Sequence, residues 1–241
     1  MAPPPAERLH NLPPQLTSFV GREQEIAEIK RLLTTTRLLT LTGSGGCGKT
    51  RLALQVAAEV LEEFPHGVWL VELGTLSDPS LVPKVAASAL GLPEQPGRPL
   101  IETLTGALRS KSALCILDNC EHLLVACAQL TDALLRTCPN VRILATSREA
   151  LGVMGETTLR VPSLSLPDLQ HLPPLDRFTE YEAIRLFRDR AVASTPQFTV
   201  TSSNAPAVAQ VCHRLDGIPL AIELAAARIK VLAVEQIAAR L

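Results

Sequence analysis

The chain of 241 residues has a formal net charge of −1 and is 46% hydrophobic, 20% charged and 3% aromatic. That balance supports cores of Leu, Val, Ile and Ala and excludes a disordered polymer, while the scattered basic residues leave no electrostatic footprint for direct nucleic-acid binding. No stretch approaches the roughly 20 apolar residues of a membrane span, and residues 1–14 lack the apolar core of a secretory signal, so a cytoplasmic setting without membrane contact is expected.

Residues 1–18 are rich in Pro and read as an extended, partly mobile arm that packs late if at all. From Glu23 to Leu33, Ile26, Ile29, Leu32 and Leu33 recur at helical spacing. The β-rich run RLLTLTG follows and stops at Gly43, then comes a glycine loop, then the helical pattern TRLALQVAAEVLEEF. GVWLVEL, ALCILDN and VRILATS are three further buried strands, each separated from the next by a helix-compatible segment, and TTLRVPSL adds a possible fifth. This alternation predicts an α/β fold around a parallel sheet, and the glycine loop between its first strand and helix makes the three-layer αβα P-loop NTPase type the expected one.

Pro162, Pro167, Pro173 and Pro174 punctuate a linker. Beyond it, Thr179 and Glu182 have the spacing of a capping box ahead of AIRLFRDRAVA. Val208, Val211, Cys212 and Leu215 mark a helix ending at Gly217, and Pro219 fits the first turn of another. The expected division is an arm at 1–18, a nucleotide-binding domain at 19–165, a linker at 166–177 and a smaller all-helical domain at 178–241. Helical periodicity runs on to Leu241 without a stop signal, which suggests a fragment of a larger parent protein. The six cysteines include no CxxC pair and no His at zinc-finger spacing, so neither a disulfide nor a metal framework is expected, and Cys115 and Cys127 read as buried thiols.

The segment Gly43-Ser44-Gly45-Gly46-Cys47-Gly48-Lys49-Thr50 matches G-x-x-x-x-G-K-[ST] and stands between a strand and a helix. Glycines let backbone N–H groups converge on phosphate oxygens, and the helix that follows, with Arg51 in its first turn, aims its positive end at the same anion. Lys49 can reach the β- and γ-phosphates, and the Thr50 hydroxyl can ligate Mg²⁺. The ligand implied is ATP or ADP with Mg²⁺. GTP is disfavoured, since no N-K-x-D element follows the sheet.

LCILDN ends a buried strand on Asp118, placed to hold Mg²⁺ directly or through water. Asn119 follows where many ATP-hydrolysing relatives carry an acid, and an amide is no base, so hydrolysis should be slow. Glu121 is the nearest substitute base, with a helix-capping role equally open, and His122 reads as a cap or packing residue. Arg148, after the fourth strand, stands where open α/β sheets bind ligands and could meet γ-phosphate charge, but an Arg in that place is by itself more often a solvated charge.

Together FVGRE, GSGGCGKT, LDNCEHL, ILATSRE and DGIPLAIELAAAR resemble the nucleotide-binding module of STAND ATPases, the group that includes NB-ARC proteins. The resemblance implies a switch that exchanges ADP for ATP, opens and self-associates, joined to effector and sensor domains of a parent chain. It assigns Val20 and Arg22 to the segment lining the adenine, Arg148 to sensing the γ-phosphate, and Pro219 to packing on the nucleotide. The winged-helix segment that usually follows, with its ADP-reading histidine, is absent from this sequence, and Asn119 departs from members with paired acids. A nucleotide scaffold that never hydrolyses is the alternative, argued from Asn119. A metabolic phosphotransferase would need an acceptor site that the sequence does not display.

Overall fold

β3 (Ala113–Asp118) is buried at all six positions, as an apolar run must be when both faces of its sheet are covered. It pairs in parallel with β2 (Val68–Glu72) on one side and with β4 (Val141–Ser147) on the other. Next to β4 lies β1 (Leu38–Thr42), and β5 (Glu156–Arg160) closes the far edge, giving the order β2-β3-β4-β1-β5. This is a computed structural model, and it describes residues 9–241. The described chain divides into two compact units, each treated by itself below.

The sheet unit comprises residues up to Thr17, Glu23–Gly43 and Lys49–Arg160. On one face α1 (Glu23–Thr35) and α2 (Lys49–Glu59) pack on each other and on β1. On the other, α3 (Val82–Ala89), α4 (Leu100–Leu108) and α5 (Leu124–Thr137) cover a core containing Leu38, Val71, Cys115, Leu117 and Ile143. A five-stranded parallel sheet between helical layers is the fold the strand-helix alternation predicts.

The arm has a docking place that its composition did not specify. Residues 1–8 lie outside the described residues, but from Leu9 the chain runs beside β2. Val68 N donates to the Leu9 carbonyl at 3.1 Å, while the Asn11 amide donates to Leu70 O at 2.8 Å and accepts from Leu70 N at 2.6 Å. The physical reason is that β2 is a sheet edge, whose backbone groups need partners. A primary amide supplies both a donor and an acceptor.

The helical unit comprises Ser18–Arg22, Ser44–Gly48 and Val161–Leu241. Its helices are α6 (Leu175–Phe178), α7 (Glu182–Ser194), α8 (Ala205–Arg214), α9 (Pro219–Ala226) and α10 (Val234–Arg240). Phe178, Ile184, Phe187, Val208, Val211 and Ile222 fill its core. Phe187 meets Phe198 edge to face with ring centroids 6.1 Å apart. Gly217 follows α8 at φ +65, and a Cβ there would stand 2.5 Å from the Leu164 carbonyl, so the turn requires glycine. Pro219 opens α9 at the position where a missing N–H costs nothing.

The capping box is corrected. Thr179 ends α6 and makes no side-chain cap at α7, because Tyr181 occupies the N-cap position. Ser165 does the capping: its hydroxyl accepts from Glu182 N at 3.0 Å. The Glu182 carboxylate takes Arg22 N on Oε1 at 2.6 Å and Ser165 N on Oε2 at 3.1 Å.

Candidate functional site

α1 and α2 begin differently. The first turn of α1 carries Glu23 and Glu25, which neutralise its positive end, whereas the first turn of α2 has no acidic residue and is Lys-Thr-Arg. A helix N-terminus whose N–H groups point out of a glycine loop, with cationic side chains in that first turn, is built to hold an anion. Lys49 is buried, and its ammonium donates to the Gly43 carbonyl at 2.9 Å, which folds the side chain back across the loop. Arg51, the next basic residue, turns to Thr17, with its guanidinium 3.2 Å from the carbonyl and 3.0 Å from the hydroxyl.

Asp118 ends β3, is 7% exposed, and receives two hydroxyls on one oxygen. Thr50 Oγ1 donates to Oδ1 at 2.7 Å and Thr146 Oγ1 donates to the same atom at 2.6 Å. Thr50 is thereby left with its lone pairs available and its proton spent on the carboxylate, which is the arrangement a hard cation needs from a hydroxyl ligand. Among the described residues nothing donates to Asp118 Oδ2. An anion-holding helix start with a buried carboxylate and a hydroxyl in contact beside it fits a Mg²⁺-nucleotide.

Asn119 follows in the left-handed region at φ 62, and its N–H donates to Thr146 Oγ1 at 2.9 Å. The turn leads into a short 3₁₀ segment, Cys120–His122, which carries Glu121. Glu121 Oε1 lies 3.3 Å from Arg148 Nε, while its Oε2 is buried without a hydrogen-bond partner. Arg148 is 69% exposed at the side chain, so the pair is held loosely. These two residues, with Gly74, Asn119, His122 and Glu149, line a cleft of about 520 Å³ at the carboxyl end of the sheet. His122 is engaged by the Leu76 carbonyl at 2.8 Å.

Within the helical unit, Ser44–Gly48 meet the start of α9. Leu220 N donates to the Gly46 carbonyl at 3.2 Å, and a Cβ on Gly46, which sits at φ +77, would come within 3.1 Å of Leu220 Cβ. Cys47 N turns back to Ser44 O at 3.4 Å, around exposed Gly45. Arg22 is buried at φ 70, and its guanidinium donates to Cys47 O at 3.3 Å and Pro162 O at 2.6 Å. Val20 packs against the helical core. Pro219 Cγ is 3.8 Å from where a Gly48 Cβ would stand.

The structure thus joins Thr50 to Asp118, Glu121 to Arg148, and Arg22 to the glycine loop. Thr146 is the organising residue that sequence reading missed, and Glu182 is the one it assigned to a local capping box. The ILATSRE run does present Thr146 two residues before Arg148, but a strand threonine gives no sign of which face or partner it takes.

Comparison with known proteins adds the following. Residues 31–160 match a family described as AAA domain. An uncharacterized protein of Mycobacterium tuberculosis is 47% identical over 232 residues, covering 96% of this chain and 56% of that protein. A protein of the same organism named as an HTH-type transcriptional regulator is 48% identical over 202 residues, covering 84% of this chain and 21% of its own length. The chain therefore spans about half the length, or less, of these relatives. Among solved structures, a STAND protein with a tetratricopeptide repeat sensor from Pyrococcus horikoshii shares the fold, with a TM-score of 0.51 at 16% identity over 86% of this chain and 30% of that one.

Proposed function

The chain belongs to the AAA domain family, and on that premise we propose that it is a P-loop ATPase module of the STAND class that binds ATP and ADP with Mg²⁺ and hydrolyses ATP slowly. The turnover would reset a switch of conformation and self-association. The observation that carries this reading is the contact of Thr50 and Asp118 beside the acid-free start of α2. When bound, Mg²⁺ would offset phosphate charge and orient the terminal phosphate, held by Thr50 and Asp118.

The chain's own residues supply the rest. Backbone N–H groups of Gly43–Thr50 and the Lys49 ammonium bind phosphate oxygens, Lys49 leaving the Gly43 carbonyl to do so. Arg148, tethered only loosely, swings to the γ-phosphate, where a guanidinium can engage two oxygens. That movement releases Glu121 Oε1 to accept a proton from the attacking water. Slow hydrolysis follows from Asn119 standing where a dedicated acid would act and from Glu121 being shared with Arg148. Val20, Arg22 and Pro219 are assigned to the base-binding side, with Arg22 acting through its hold on the Cys47 carbonyl. Arg51 is retained as a member of the phosphate-binding segment, with its guanidinium on Thr17.

A regulatory role in a longer cytoplasmic protein, between effector and sensor domains, is supported by the relative named as a transcriptional regulator and by the share of it that this chain covers. No helix among the described residues is long and apolar enough to cross a membrane. The non-hydrolysing scaffold is favoured by one specific observation, the Glu121–Arg148 pair that occupies the candidate base. Phosphate release by wild-type protein and by Glu121→Gln separates the two. The switch reading expects measurable release in the wild type and a loss of about 10²–10⁴-fold in the variant with ATP binding kept. Wild-type release no faster than the uncatalysed background favours the scaffold, and equal release from both proteins removes Glu121 as the base.

A further inference from the structure

We propose that Thr146 is a positioning residue for the divalent cation: its single hydroxyl orients Asp118 and, through Asn119, the turn that carries Glu121. The proposal rests on the ATPase reading above. β3 and β4 pair through their backbones in register as far as Leu117 and Ala145. One residue further on, at Asp118 and Thr146, a side chain takes over the cross-strand contact. The Thr146 hydroxyl is fully buried, donates to Asp118 Oδ1 at 2.6 Å and accepts from Asn119 N at 2.9 Å.

The direction of each bond is fixed by chemistry. An ionised carboxylate only accepts and a backbone N–H only donates, so the one hydroxyl proton goes to Asp118 and a lone pair faces Asn119. Two consequences follow. Thr50 and Thr146 together fill Oδ1, which stops rotation of the carboxylate and presents Oδ2 as the oxygen for a cation. The bond to Asn119 N also holds that residue in the left-handed region, a conformation disfavoured for residues other than glycine and tolerated best by Asn and Asp. From there the chain enters Cys120–His122 with Glu121 directed at Arg148, two residues beyond Thr146 on the neighbouring strand end.

Burial alone does not account for these bonds. Thr40 on β1 and Thr131 on α5 are equally buried in the same unit, and their hydroxyls have no partner. A buried threonine in this unit is therefore not compelled to bond, and valine would fill either place with the same shape. Thr146 differs in spending its donor and an acceptor on two consecutive residues at the end of β3.

The test is titration of a fluorescent ATP analogue, with excess Mg²⁺ and with EDTA, into wild type, Thr146→Val, Thr146→Ala, Thr146→Ser and Thr40→Val. Loss of an outer-shell partner costs about 10–100-fold in metal affinity, so in Thr146→Val and Thr146→Ala the tightening of nucleotide binding by Mg²⁺ should fall by about tenfold or more, with affinity in EDTA within about twofold of wild type. Thr146→Ser, which restores the hydroxyl, should recover the tightening, and Thr40→Val should match wild type throughout. Full Mg²⁺ tightening in Thr146→Val and Thr146→Ala, losses equal in Mg²⁺ and EDTA, or failure of serine to rescue would each overturn the proposal while leaving the ATPase reading intact. Absence of nucleotide binding by the wild type would overturn that reading, and the proposal with it.

Discussion

Two carboxylates, one in each unit, show how placement separates a structural acid from a functional one. Glu182 in the helical unit spends both oxygens on backbone amides, Arg22 N on Oε1 and Ser165 N on Oε2. Asp118 in the sheet unit gathers two side-chain hydroxyls on Oδ1 alone and keeps Oδ2 uncommitted among the described residues. Backbone amides cannot move aside without unfolding a loop, so Glu182 is fixed and its removal strands two donors. Hydroxyls rotate and keep lone pairs, so the Asp118 cluster can admit a cation without rebuilding the backbone. The residue type is nearly the same in the two places, and the donors decide the role.

Substitutions can break this contrast. The largest effect is expected from Asp118→Asn, which keeps the shape and removes the charge: turnover should fall by about 10²–10³-fold, comparable to the loss of one electrostatic stabiliser at a reacting centre, while the melting temperature changes little. A large fall in melting temperature would instead place Asp118 with the structural acids. Glu182→Ala should show the opposite profile, a destabilisation of about 1–3 kcal/mol in urea titration from two amides left without acceptors. Unchanged stability would mean that water replaces the carboxylate, and the contrast would lose one side.

Smaller effects sharpen it. Arg148→Ala should weaken ATP about tenfold more than ADP, close to 1.4 kcal/mol, since only ATP offers the group it is proposed to meet. Equal losses for the two nucleotides would end its sensor role. Thr179→Ala should alter stability by less than about 0.5 kcal/mol, because its hydroxyl does not cap α7. A loss near 1 kcal/mol by the same denaturation would restore the capping box.

The uneven reach of the sequence has the same cause. The first four strands were legible because each is a short, mainly apolar run closed by turn residues, and β3 is buried end to end as that pattern implies, whereas the edge strand β5, with the sequence ETTLR, has no buried position and gave a weaker signal. Gly43–Thr50 and Asp118 could be singled out because their spacing follows from the chemistry of phosphate and metal, whereas Arg148 was singled out only through the family resemblance. Thr146 was hidden, since its two bonds cross from β4 to the end of β3, a relation set by strand order and register. Glu182 was read as half of a local capping box, yet its partners Arg22 and Ser165 lie 160 and 17 residues away. Capping signals describe local competition for orphan N–H groups, and a distant loop that supplies a hydroxyl to Glu182 N outcompetes Thr179. The docking of Leu9–Asn11 was out of reach for a related reason: composition speaks of an extended chain, and only the edge of β2 says where such a chain goes.

The central claim is that the glycine loop, Lys49, Thr50 and Asp118 form a working nucleotide site, and calorimetric titration of ATP and of ADP, with Mg²⁺, into nucleotide-stripped protein tests it most directly, with Lys49→Ala titrated alongside. The account predicts saturable binding of both nucleotides to the wild type, slow phosphate release in the ATP sample, and affinity reduced by at least about 100-fold in Lys49→Ala, as expected when a buried charge-assisted contact to phosphate is removed. Heats no larger than dilution for the wild type, or equal binding by Lys49→Ala, would contradict it.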